Sequence, residues 1–212
     1  MKGRAITCLL AISILLVGCH SERATNEYQL MEEFFELAHA VQQLFQYHET
    51  TGTYYYNEHF QSVEDVSLLL EEKVTETGFD TIVDSIFQEN DGRLIYQETY
   101  QSYLEKSNRR SGVVFHTGDY YETVRETLLN PAMLMLHPDD FVLLEDSEGI
   151  QLVAEDVRIV FYEEENREVV PYTRYGYPPY DVLTVEISFV FDRGQYRVEH
   201  FRIQEGQEIA SS

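Results

Sequence analysis

The stretch Asp181–Asp192, DVLTVEISFVFD, limits the possible folds more than any other. Leu183, Val185, Ile187, Phe189 and Phe191 fall on one face, and Thr184, Glu186 and Ser188 on the other. Period-two alternation of this length predicts a strand with one face in a core and the other in water, the habit of antiparallel sheets. Asp192-Arg193-Gly194 is a short turn signal, and Gln195–Ile203 reads as the returning strand. On that strand Tyr196, Val198 and His200 share one face, whereas Phe201 and Ile203 share the other. A bulge would produce this phase switch. Alternatively, His200 points into a concavity under the sheet, which makes Tyr196 and His200 candidate cavity residues. Upstream, Phe141–Leu144, Ile150–Ala154 and Val157–Tyr162 read as strands, with Ser147-Glu148-Gly149 as a turn.

The first half has a different period. Leu30, Phe34, Leu37, Val41 and Leu44 recur at three- and four-residue steps, predicting one amphipathic helix over Glu27–Tyr47. His48–Phe60, HETTGTYYYNEHF, reads as a connection. Ser62 with Asp65 forms a capping-box pattern that opens a second helix through about Lys73, which Thr77-Gly78 ends. Phe79, Ile82, Val83, Ile86 and Phe87 mark a third helix, and Asn90-Asp91-Gly92 a turn. Leu94–Leu104 fits either strand or helix, and Lys106–Gly112, KSNRRSG, reads as a polar loop. Asp119 with Glu122 looks like the start of a further helix ending near Asn130-Pro131.

Helices followed by a strand meander predict α+β architecture, with N-terminal helices packed on a curved antiparallel sheet. This order, closing on Leu183–Ile203, resembles the cone-shaped fold of nuclear transport factor 2 and ketosteroid isomerase. That resemblance implies a possible cavity under the sheet and carries over no catalytic residue. Cystatin-like and other α+β layouts stay open.

The N-terminus reads as an address. Lys2 and Arg4 precede the apolar run Ala5–Val17, which is too short to span a bilayer and matches a secretory signal. Leu16-Val17-Gly18-Cys19 resembles the lipobox of bacterial lipoproteins. The resemblance implies diacylglycerol on the Cys19 thiol and cleavage before it, so the membrane becomes a partner through a lipid anchor, which two acyl chains make durable. The expected organisation is residues 1–18 as signal peptide, 19–26 as lipidated tether, 27–205 as one α+β domain and 206–212 as a tail. The outer face of a Gram-positive-type cytoplasmic membrane is the favoured location, and an outer membrane the other.

The chain carries a formal charge of −23, which loss of Lys2 and Arg4 takes to −25. Such a surface argues against nucleic acid, whose binding depends on cations neutralising phosphates. It also repels anionic lipid headgroups. The two cysteines, Cys8 and Cys19, leave or become lipidated, so no disulfide staples the exported part.

Candidate chemistry is sparse. His48, Glu49, Glu58 and His59 lie close in sequence, but their spacing matches no metal-binding motif and reads more simply as a solvated loop. His116 near Asp119 lacks an identifiable nucleophile. The acidic runs EDSE, YEEEN and PDD lack the calcium-loop pattern. No catalytic residue, cofactor or metal is therefore assigned. The most distinctive loop is Pro171–Tyr180, PYTRYGYPPY, in which Tyr172, Arg174, Tyr175, Tyr177 and Tyr180 form a candidate interaction loop projecting from the sheet. The alternative is that its rings fold back over a core edge. The function expected is a non-enzymatic binding or interaction module anchored in the envelope, its partner an envelope protein or small ligand. The alternative is a small-ligand-binding or enzymatic cavity protein of the ketosteroid-isomerase-like type.

Overall fold

The computed structural model describes residues 27–109, 120–145, 149–167 and 171–208. Helix α1 covers 27–43. Its stripe of Leu30, Phe34, Leu37, Ala38 and Val41 is buried, and Leu44 and Phe45 continue the apolar surface past its end. The helix stops short of the expected Tyr47 because its last turn is capped from elsewhere. The fully buried Asn57 donates its amide to the carbonyls of Gln43, Leu44 and Gln46 at 3.1, 3.1 and 2.9 Å. The Tyr96 hydroxyl donates to Leu44 and Gln46 as well, at 3.2 and 3.3 Å. Carbonyls that a helix end leaves orphaned thus find partners far along the chain.

His48–Phe60 is not an irregular connection. It contains a hairpin, β1 His48–Thr50 with β2 Tyr55–Asn57. Helix α2, Val63–Leu70, opens on the Ser62–Asp65 capping box with both reciprocal bonds present. Thr77-Gly78 does not end it. Thr75 caps α3, Glu76–Ile86, accepting from the Gly78 amide, so Gly78 lies inside the first turn. A side chain there would place its Cβ 2.5 Å from the Val198 carbonyl, so glycine permits the close approach of α3 to the sheet. Phe87–Asn90 (β3) and Arg93–Tyr96 (β4) pair around Asp91 and Gly92, whose φ values of 52° and 77° suit a tight hairpin turn. The ambiguous Leu94–Leu104 contains both elements, β4 and then α4, Glu98–Arg109. Lys106–Arg109 is therefore helical, not loop.

Asp119 lies outside the described residues. Helix α5 runs over Tyr120–Val124 and ends well before Asn130. The Thr127 hydroxyl donates to the Val124 carbonyl at 2.9 Å, and the Asn130 amide to the Arg125 carbonyl at 2.9 Å. Short polar side chains here compete with helical bonding and win. Asn130 then caps a 3-10 turn at Pro131–Leu134.

The sheet is an antiparallel meander of β5 Val142–Glu145, β6 Ile150–Val160, β7 Tyr180–Asp192 and β8 Gln195–Glu205, in that order. The architecture is α+β. Two strands expected at Ile150–Ala154 and Val157–Tyr162 are one strand with a bulge between Ala154 and Val157. Asp156 takes φ 51°, its amide donates to the Thr184 hydroxyl at 3.1 Å, and that hydroxyl donates back to its carboxylate at 3.3 Å. This pairing explains why Thr184 is buried on a strand whose phase puts it in water.

Leu183, Val185, Ile187 and Phe189 of β7 are buried as expected, but Phe191 is 63% exposed and packs edge-on against Tyr196 at the sheet end. Strand β8 carries the bulge that its phase switch predicts, between the pairs Phe189–Val198 and Ser188–His200. The bulge docks on the α2–α3 junction: Thr75 donates to Val198, and Val198 to Lys73, each at 3.0 Å. One apolar cluster runs from α1 through the inner sheet face. Among the described residues, no helix is long and apolar enough to cross a membrane.

Candidate functional site, an aromatic cleft

Four distant segments bring rings to one place. Phe45 and His48 follow α1, Tyr103 lies on α4, Tyr120 opens α5, and Tyr172, Tyr175 and Tyr177 come from the β6–β7 connection. With Pro131 they line a cleft of about 350 Å³, within the size range of small-ligand sites.

The β6–β7 connection builds one wall. Pro171–Tyr175 forms a 3-10 turn, and Gly176 at φ 78° reverses the chain so that the Tyr177 amide donates to the Tyr172 carbonyl at 3.2 Å. The Tyr162 hydroxyl fixes the return by donating to the Tyr177 carbonyl at 3.2 Å. The loop therefore does not project as a unit. Tyr177 is buried against Phe161 and Tyr121, with centroids at 4.9 and 4.8 Å, and Tyr172 is half-buried. Tyr175 remains 45% exposed at the cleft mouth. Tyr180 faces away, with the Arg158 guanidinium 4.0 Å over its ring and its hydroxyl donating to Glu208. Arg174 lies on the same 3-10 turn.

The rings are tilted, not parallel. Tyr103–Tyr120, Tyr120–Tyr175 and Tyr172–Tyr177 meet at 47°, 64° and 61° with centroids 5.2–5.9 Å apart. Phe45 and Tyr120 are the near-parallel pair, at 12° and 6.0 Å. His48 packs on Phe45 at 4.6 Å, and its Nδ1 is 3.1 Å from the Tyr96 hydroxyl. His48 is an exposed residue, yet partial burial among the neighbouring rings pushes its pKa below the ordinary histidine value, which favours neutral imidazole. Burial also raises the Tyr120 and Tyr177 phenols, so both stay protonated. Among the described residues, the buried Tyr177 hydroxyl has no hydrogen-bond partner.

Beneath the cleft a polar network is complete. The Tyr121 hydroxyl donates to Asp181, and Arg125 grips both Asp181 oxygens at 2.8 Å. Arg125 also reaches Glu205 at 3.2 Å. Burial alone would raise the Asp181 pKa, but the bonds from Arg125 and Tyr121 outweigh it and hold it below the usual carboxylate value.

The other sequence candidates fall elsewhere. His200 is exposed on β8 beside the bulge, and Tyr196 packs on Phe191, so neither lines the cleft. His59 lies edge-on to Tyr47, and Glu49 and Glu58 are exposed. Among the described residues, no cluster of three or more His, Cys, Asp or Glu could hold a metal ion. His116 and Cys19 lie outside the described residues. Phe45, Tyr103, Tyr120 and Pro131 were not among the sequence candidates. The available signal was compositional, 16 tyrosines and no tryptophan, with pairs at Tyr100/Tyr103 and Tyr120/Tyr121. Comparison with protein-family models, curated proteins and solved structures finds no match to this chain.

Proposed function

We propose that this chain is an envelope lipoprotein, lipidated at Cys19, whose domain is a non-enzymatic binding module with the aromatic cleft as its binding site. The lipobox supports the address, and α1 over an antiparallel meander supports the cone-shaped, nuclear transport factor 2-like reading of the domain. One observation carries the function: seven rings from distant segments converge on one cleft. The small-ligand form of the alternative draws on the same cleft. Its enzymatic form would put general-base work on His48, because the described lining residues include no carboxylate.

Native mass spectrometry of the full chain, purified gently from its own host, tests the module. The expected result is a retained small molecule that Tyr120→Ala loses. A bare chain, or one carrying only a second protein, contradicts the cleft as the site. Cys19→Ser should abolish lipid labelling and membrane retention. Unchanged retention contradicts the address.

A further inference from the structure

We infer that the ligand of this cleft is an organic cation with a fully alkylated ammonium head, an assignment that rests on the cleft being the binding site. The described lining residues are Phe45, His48, Pro131 and tyrosines, with no acid, lysine or arginine among them. Such walls present π faces, which carry negative electrostatic potential and attract cations within about 6 Å. Apart from the near-parallel Phe45–Tyr120 pair, whose rings at 6.0 Å stand too close to sandwich a flat ligand, the lining rings meet at tilts of 47° to 64°, which suits a rounded head better than a flat one.

Competing chemistries fit less well. A sugar needs several carboxylate or amide partners for its hydroxyls, and the described lining provides only phenols and an imidazole. An anion meets no positive charge on these walls and an overall charge of −23. A primary ammonium would have to find phenol or imidazole acceptors for each of its N–H donors. An alkylated head has no such donors. The strongly acidic surface raises the local concentration of cations. Elsewhere the molecule already seats its own cations on tyrosine faces, Arg158 on Tyr180 at 4.0 Å and Arg93 on Tyr56 at 4.8 Å.

The test is calorimetric titration of the full chain, in phosphatidylglycerol vesicles, with choline and with 3,3-dimethylbutan-1-ol, which has the same shape with carbon in place of the charged nitrogen. Choline should bind, and the neutral isostere roughly 2- to 30-fold more weakly. Tyr175→Leu should weaken choline while Tyr175→Phe keeps it; at 45% exposure neither change threatens the fold. Equal uptake of the two probes overturns the cation while leaving an apolar binding site. Choline uptake unchanged in both Tyr175→Leu and Tyr103→Leu overturns the location. Uptake of neither probe overturns the ligand class, and a host-purified chain that still carries a neutral small molecule would then leave the binding module standing. Displacement of choline by a short-chain phosphatidylcholine assigns the head to a lipid, and absence of displacement to a free cation; both support the proposal.

Discussion

The end of α1 and the aromatic cleft are both meeting points of distant segments, and they are finished differently. At the helix end, Asn57 serves three carbonyls with its amide, and its oxygen accepts from His59 and Phe60 at 2.8 and 3.2 Å. Every polar role of that buried side chain is filled. At the cleft, rings meet at mixed angles around open volume, and among the described residues the Tyr177 hydroxyl lacks a partner. The first junction serves the fold. The second retains the cost that burial of an unpaired group imposes.

The largest expected effect breaks the finished side. Asn57→Leu fills the space but removes the three Asn57 caps and leaves only the Tyr96 hydroxyl at the end of α1, and should lower unfolding free energy by about 3–5 kcal/mol, measured by urea titration. A loss below 1 kcal/mol would show that water replaces the caps. Next is Gly78→Ala, whose new Cβ meets the Val198 carbonyl and forces α3 off the β8 bulge, costing about 1–3 kcal/mol.

Asp181 sharpens the comparison from below the cleft. Its folded pKa is depressed, so its contribution to stability is full above the unfolded carboxylate pKa, about 3.9, and is lost as pH falls through the lower folded value. Asp181→Asn should cost about 2 kcal/mol at neutral pH and flatten stability below pH 4, read from melting curves across pH. On the unfinished side, Tyr175→Ala should change stability by no more than about 0.5 kcal/mol.

Features written in adjacent residues were legible in the sequence. The Ser62–Asp65 box, the Asp91-Gly92 and Arg193-Gly194 turns and the β8 bulge each follow from local chemistry or from a change of phase. The β6 bulge was read as a break between strands because Glu155-Asp156 resets the alternation, and the compensating Thr184 lies on another strand. The cleft was hidden for the same reason on a larger scale. Its rings are separated by more than a hundred residues, from Phe45 to Tyr177, and no local pattern says they meet. The loop at Pro171–Tyr180 stands out in the sequence, which leaves projection and folding back over a core edge both open; Tyr177 takes the second course, and Tyr177→Ala should destabilise, because that ring is buried against Phe161 and Tyr121.

The most direct measurement is the unfolding free energy of ligand-free Tyr177→Phe beside Tyr121→Phe. Each change deletes one phenolic oxygen, from two rings whose centroids lie 4.8 Å apart. Tyr121 gives its hydroxyl to Asp181, so Tyr121→Phe should cost about 1.5–3 kcal/mol, whereas Tyr177→Phe should be neutral or stabilise by up to about 1 kcal/mol. Opposite responses would show a cleft kept unfinished within its own fold. Equal losses would mean that both hydroxyls serve stability, and would contradict the account.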